Sequence, residues 1–255
     1  METVKAKKRL GQHFLKDENI AKKIVDCLDG DVKNVLEIGP GMGVLTQYLL
    51  MKENYNLFVV EIDKESVSYL ENHFPQFKQR ILEEDFLKLD VQTVFSGEFS
   101  VIGNFPYNIS SQILFKVLDN KNHIPEVVGM FQKEVAIRVA SKPGNKDYGI
   151  LSVLLQAFYD IEYLFTVEPE VFMPPPKVKS AVIRLKRNAV SQLECDEQKF
   201  KQLVKAAFNQ RRKTLRNSLK SFLFIDEFTQ EDIFKKRPEQ LSVEEFVYLT
   251  KHLLN

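Results

Sequence analysis

Two cysteines in 255 residues, Cys27 and Cys195, are too few and too far apart for a disulfide scaffold. No Cys-x-x-Cys and no paired histidine offers a zinc site, so no metal is expected. The basic N-terminus lacks the apolar run of a signal peptide, and no stretch is long enough to span a bilayer. A soluble, cytoplasmic protein with no membrane partner is therefore expected. Net charge is nearly absent too, at +1, so charge can matter only through its distribution. Internal repeats and low-complexity tracts are missing. What remains is an ordinary globular composition, 44% hydrophobic and 28% charged, long enough for one large α/β domain and a small appendage.

The charge that is present comes in blocks. Lys199, Lys201, Lys205, Arg211, Arg212, Lys213, Arg216 and Lys220 fall in one stretch without an acid. Lys177, Lys179, Arg184, Lys186 and Arg187 form another, and Lys5, Lys7, Lys8 and Arg9 a third. Any one block could be a solvated helix face. Three in a neutral chain point to a polyanion, with Lys177, Lys179, Arg211, Arg212, Lys213 and Arg216 the candidate RNA contacts.

The chemistry-bearing motifs lie at strand ends. Val35–Ile38 is a short apolar strand running into Gly39, Gly41 and Gly43, with a helix beginning at Val44. Glycines at such a turn let a ligand approach the backbone. The spacing is G-x-G-x-G rather than the dinucleotide G-x-G-x-x-G, and no lysine follows to hold phosphates, which argues against NAD, FAD and a P-loop. Strand Leu57–Val60 ends in Glu61, placed to hold ribose hydroxyls. A third strand end carries Glu84-Asp85-Phe86, whose carboxylate could accept from an adenine amino group. A fourth carries Asn104-Phe105-Pro106-Tyr107. Pro106 stiffens that turn, so that an amide oxygen, a backbone carbonyl and an aromatic face can grip a flat group bearing an NH2. S-adenosylmethionine, a nucleoside without phosphate, fits this series better than a dinucleotide.

Strands and helices alternate as far as Leu185, which predicts a doubly wound, mostly parallel sheet with its ligand at the carboxyl ends of the strands. Phe165–Val171 and Ser180–Leu185 are its last predicted strands. Between them Phe172-Met173-Pro174-Pro175-Pro176 forms a stiff extended lip, with Phe172 expected to stack opposite Tyr107. After Asn188 strand signals vanish, and helices are predicted over Phe200–Phe208, Leu215–Phe224, Asp232–Phe234 and Val243–Leu254. The expected division is a Rossmann-like domain with a basic N-terminal arm over residues 1–187 and a small all-α domain over 188–255.

In order and spacing GQHFLKD, EIGPGMGVLT, VEID, EEDF, GNFPYNISSQI, VFMPPPKVKSAVIRL and FNQRRKTLRNSL resemble the small-subunit rRNA adenine dimethyltransferase family from about Lys8 to Leu219. The resemblance implies S-adenosylmethionine as methyl donor and dimethylation of N6 on two adjacent adenosines near the 3′ end of 16S rRNA, in the immature small ribosomal subunit, by a monomer. It puts His13, Leu15, Gly39, Gly41, Glu61, Asp85, Phe86 and Asn104 around the cofactor. It makes Asn104, Phe105, Pro106, Tyr107 and Phe172 the catalytic group. Two positions depart from the common pattern: His13 stands where many relatives carry Asn, and Phe105, whose bulk threatens the pocket, where many carry Leu. Rival readings are a 23S rRNA adenine methyltransferase of the macrolide-resistance type, a mainly non-catalytic assembly or transcription factor of the same descent, and an amide or small-molecule methyltransferase. The proline lip and the basic C-terminal tract favour the small-subunit type.

Overall fold

The structure, a computed structural model, describes residues 4–254; the ends of the expected basic arm and helical domain lie outside the described residues. Nine strands and nine α-helices are found among them. They run β1 (Phe14–Leu15), α1 (Glu18–Val25), β2 (Asn34–Ile38), α2 (Thr46–Leu50), β3 (Asn56–Glu61), α3 (Lys64–His73), β4 (Ile81–Glu83), β5 (Ser100–Asn104) and α4 (Ser110–Asp119). There follow β6 (Glu126–Gln132), α5 (Lys133–Ala140), α6 (Ile150–Gln156), β7 (Tyr159–Val167), β8 (Phe172–Met173), β9 (Ser180–Arg187), α7 (Glu197–Asn209), α8 (Leu215–Ser218) and α9 (Val243–Lys251).

The main sheet has the order β4-β3-β2-β5-β6-β9-β7, with the first five strands parallel and β9 antiparallel to β6. This is the doubly wound α/β sheet expected from the alternating pattern. Its central strands β2, β5 and β6 are almost wholly buried, as strands covered on both faces must be. The chain turns outward one way from β2 to β3 and the other way from β5 to β6, so the switch in strand order falls between β2 and β5. A crevice opens at the carboxyl ends of strands at such a point. Beside the main sheet, β1 and β8 form a two-stranded antiparallel ribbon with Leu15 opposite Phe172.

Two sequence expectations change here. The strand predicted over Phe165–Val171 is β7, which ends at Val167; Pro169, with no N–H to give to a ladder, starts a 3-10 turn instead. The helix predicted over Leu215–Phe224 stops at Ser218, in a stretch where Asn217, Ser218 and Ser221 are weak helix formers.

The chain gathers into two compact units, one holding the residues up to Ala136 with Ile161–Arg187, the other Ile137–Asp160 with Asn188 onward. Residues 137–160, read from sequence as part of the sheet domain, thus group with the C-terminal helices. The reason is burial: Leu151 through Leu155 of α6 are all buried, a helix too apolar to sit at a surface. In that second unit α7 buries Phe200, Leu203, Val204 and Ala207, and Phe208 bridges Tyr148 and Phe246 at ring distances of 6.2 and 6.0 Å. Ser242 and Glu245 cap α9 reciprocally.

Phe105 does not fill the crevice. Its ring is 1% exposed and lies edge-on to Phe131 at 5.0 Å, in a slot left by two glycines of adjacent strands. A Cβ on Gly103 would fall 2.6 Å from the Phe105 ring, and one on Gly129 would strike the same ring and lie 2.5 Å from Phe131. Gly129→Ala should therefore lower stability by about 1–3 kcal/mol, read from the urea midpoint, and Phe105→Leu in the same chain should return part of the loss. An unchanged midpoint would contradict this packing.

Candidate active site

A cleft of about 920 Å³, partly open to solvent, lies where the sheet changes direction. Its floor is the β2 turn. Gly39 and Gly41 have φ of 67° and 58°, the left-handed region, and a Cβ on Gly41 would come within 2.8 Å of the Phe14 ring. The backbone can be that tight, and a ligand that close, only with glycine at both positions. From the end of β3 the 4%-exposed Glu61 reaches back, its two oxygens accepting from Gly41 N–H (3.1 Å) and Asp63 N–H (2.9 Å). Burial pushes its carboxyl above the usual range, against the pull of those N–H groups. A carboxylate has about four lone-pair positions, so Glu61 keeps acceptor capacity for a ligand's hydroxyl groups.

Asp85 follows β4; its carboxylate accepts from Leu87 N–H at 2.9 Å, which fixes the turn, and Phe86 beside it is buried. The Lys116 ammonium sits 5.1 Å over the Phe86 ring, its proton affinity lowered by burial although Asp85 and Glu84 oppose that. The opposite wall is the N-terminal arm, with Leu10, Gly11, Gln12, His13 and Phe14 lining the cleft. The arm is pinned by Lys7, which pairs with Asp63 and, at 3.0 Å, with Glu65, and by Gln12, whose amide donates to Asp63 at 3.1 Å. These bonds outweigh burial and hold the Asp63 carboxyl below the usual range, with Lys7 raised in turn, chiefly by its bond to Asp63.

Asn104 stands at the end of β5. Its Nδ2 donates to the His13 carbonyl at 2.9 Å, so its Oδ1 is left as an acceptor. Phe105 N–H donates to Met130 O at 3.2 Å, and its own carbonyl has no protein donor among the described residues. Tyr107 is half-buried, its hydroxyl bonded to Ser180 Oγ and its acidity lowered by burial. What lies beside its ring is His13, 5.3 Å away and tilted 31°. The His13 Nδ1 lies 2.8 Å from the Pro174 carbonyl, which can only accept, so that nitrogen carries the proton. One residue thus ties the arm, the Asn104 turn and the proline lip together.

Of the residues singled out in the sequence, His13, Gly39, Gly41, Glu61, Asp85, Phe86, Asn104, Phe105, Pro106 and Tyr107 all line this cleft. Phe172 does not. It is 1% exposed in the hydrophobic core with Leu15 and Val167, because the β1–β8 ribbon turns it inward, so it does not face Tyr107 across a base. Leu15 is buried beside it and lines only a small cavity behind the glycine turn. Lys177 and Lys179 are exposed, the latter paired with Glu168 at 2.7 Å. In the second unit Arg211 reaches Glu239 at 3.9 Å and Arg216 donates to Thr229 O at 2.9 Å, whereas Arg212 and Lys213 are exposed.

Three contributors escaped sequence reasoning. Phe14 packs over Gly41, and Gln12 helps anchor the arm. Glu37 on β2 is wholly buried beneath the turn, accepting from the Thr46 hydroxyl at 2.6 Å. Burial raises its carboxyl to about 8, with the nearby Glu61 charge adding and Thr46 opposing. An acid inside an otherwise apolar strand, Val35-Leu36-Glu37-Ile38, was the available signal.

Fold and cleft together define a Rossmann-like methyltransferase: a glycine turn, carboxylates at successive strand ends and an amide acceptor all open onto one cleft at the carboxyl edge of the sheet. Residues 3–254 match the family described as ribosomal RNA adenine dimethylase. The protein of Cytophaga hutchinsonii called ribosomal RNA small subunit methyltransferase A is 63% identical, covering 99% of each chain. Its namesake in Parabacteroides distasonis is 62% identical over 99% of this chain and 97% of its own. Among solved structures, a dimethyladenosine transferase from Plasmodium falciparum superposes with a TM-score of 0.77 at 26% identity, covering 93% of this chain and 96% of that one. The 23S rRNA methyltransferase ErmE gives 0.69 at 25% identity, covering 93% and 99%. The chain belongs to the ribosomal RNA adenine dimethylase family. It is an enzyme that dimethylates adenine in rRNA with S-adenosylmethionine as methyl donor.

Proposed function

We propose that the enzyme converts two adjacent adenosines in the 3′-terminal hairpin of 16S rRNA to N6,N6-dimethyladenosine, acting as a monomer on the immature small ribosomal subunit. The observation that carries the mechanism is the Asn104 bond to the His13 carbonyl, which leaves Oδ1 as an acceptor beside the Phe105 carbonyl. Bound in the cleft, S-adenosylmethionine supplies an electrophilic methyl group. The cradle of Gly39 and Gly41 suits its amino-acid part, Glu61 its ribose, and Asp85 with Phe86 its adenine.

The target amine is a poor nucleophile because its lone pair is shared with the purine ring. Asn104 Oδ1 and the Phe105 carbonyl accept its two hydrogens and draw the nitrogen towards a tetrahedral shape, freeing the lone pair. Tyr107 offers its ring to the swung-out base, a contact worth about 1–3 kcal/mol, and its hydroxyl bond to Ser180 holds that ring in place. As the methyl group would leave sulfur for nitrogen, the amine becomes acidic and would release its proton to solvent water, so no residue need act as a strong base. Rate comes from positioning and oriented dipoles. The basic tracts bind backbone phosphates, giving affinity that falls steeply with salt.

Relatives 57–63% identical carry the small-subunit name, which favours 16S over 23S rRNA. Incubation with immature small subunits and labelled donor should place the label on two neighbouring adenosines as the N6,N6-dimethyl form. Label confined to large-subunit RNA would refute the assignment.

A further inference from the structure

Because Phe172 turns into the core, its neighbour on β8 must turn the other way. In the β1–β8 ribbon Leu15 stands opposite Phe172, and Phe14 opposite Met173. Residues paired like this share one face of a ribbon, and successive residues take opposite faces. Leu15 and Phe172 take the core face, while Phe14, on the other, lines the cleft. Met173 therefore stands on the cleft side, just outside the lining residues, and is 67% exposed. Further along the same lip Pro174, Pro175 and Val178 are exposed too. So is Lys177, which has no ion-pair partner among the described residues.

The lip is held at both ends. Before Met173, Lys16 N–H donates to the Val171 carbonyl at 2.9 Å and Phe172 is locked in the core. After it, His13 Nδ1 donates to the Pro174 carbonyl at 2.8 Å, and Lys133 N–H to the Lys179 carbonyl at 2.9 Å. Three prolines between these bonds have their φ fixed. A single exposed apolar side chain on a surface is commonplace. Here a long, polarizable thioether sits on a stiff support beside a cleft that takes a base out of its stack. Methionine and proline are among the side chains that proteins push between base steps. The lysine next to them favours a polyanion over an apolar protein surface.

We propose that Met173 is a wedge that enters the RNA base stack beside the target adenine and holds the gap open while that adenine occupies the cleft. The partner it fits is the face of the nucleobase adjoining the target. Asn104, Phe105 and Tyr107 hold the extruded base, and Met173 keeps the place it left from closing. This rests on the rRNA reading above for the identity of the RNA.

The probe is a hairpin from the 3′ end of 16S rRNA with 2-aminopurine beside the target adenine, a base that brightens when it loses a stacking neighbour. Full-length wild type, M173A and M173L are compared at saturating protein. Wild type should brighten the probe, M173A should lose at least about half of that rise, and M173L, which keeps an apolar side chain of similar size, should retain most of it. M173A should also bind the intact hairpin about fivefold more weakly than wild type. On a hairpin made without the target base the gap already exists, so there the two should bind alike. Equal brightening by wild type and M173A overturns the wedge, as does a wild type that brightens nothing. Equal losses of affinity on both hairpins overturn it too, because they mark a plain surface contact. Methylation of immature small subunits by the wild type is followed in parallel. If the probe brightens through Met173 while no small-subunit adenosine is labelled, the substrate assignment fails and the wedge stands.

Discussion

Asn104→Ala should cut the methylation rate about 10²–10³-fold while the affinity for S-adenosylmethionine stays near that of wild type, measured by single-turnover kinetics and calorimetry. The asymmetry follows from geometry. The side chain stands at the end of β5 with its nitrogen held by the His13 carbonyl at 2.9 Å, so the oxygen is presented with almost no freedom to turn away. That oxygen is asked to stabilise a change of shape at the reacting amine, which is a demand of the transition state and not of cofactor binding. Asn104→Asp is the sharper companion. The acid keeps an acceptor but has nothing to donate to His13, and two oxygens then face each other, so it should be nearly as inactive as alanine. Equal losses in rate and in donor affinity would assign Asn104 to cofactor binding alone.

The second large effect is on stability. Glu37 is buried under the glycine turn with a carboxyl raised from about 4.5 to about 8. Between those values the folded chain holds a proton that the unfolded chain gives up. Folded protein is therefore favoured at the acid end and loses stability as pH rises through that window. The loss levels off above pH 8 at a magnitude of the order of 5 kcal/mol. Glu37→Gln cannot titrate and still offers an oxygen to the Thr46 hydroxyl. Its melting temperature should exceed that of wild type at pH 8.5, and the gap should close on the way to pH 5. A constant gap across that range would mean that Glu37 is ionised in the fold.

The strand-end motifs were legible because parallel strands deliver their carboxyl ends to one edge, so Gly39, Glu61, Asp85 and Asn104 were bound to meet once the alternation was recognised. Side-chain direction was not. In β1 and β8, each of two residues, no periodicity tells which face turns inward, and Phe172 went to the core together with Leu15. Phe105 threatened the pocket only while its ring had nowhere else to go. The space it takes is made by Gly103 on its own strand and Gly129 on the next, a pairing visible only once the register of β5 against β6 is known. Glu37 shows in the sequence only as an anomaly, a charge within an apolar strand, until burial supplies its meaning. The C-terminal arginines looked alike in sequence, yet Arg211 and Arg216 serve the helical unit itself, while Lys213 opens onto a groove.

If Asn104 and the Phe105 carbonyl grip the base as proposed, the orientation of Asn104 would also set how the reaction stops. A rim that shows two lone pairs welcomes a purine carrying N–H at position 6 and repels one carrying a carbonyl there, so hypoxanthine and guanine are turned away at the threshold. Each transfer removes one of the hydrogens that held the base. Once both are gone the finished nucleoside has nothing left to grasp, a third addition has no foothold, and departure is written into the same pair of oxygens that secured arrival.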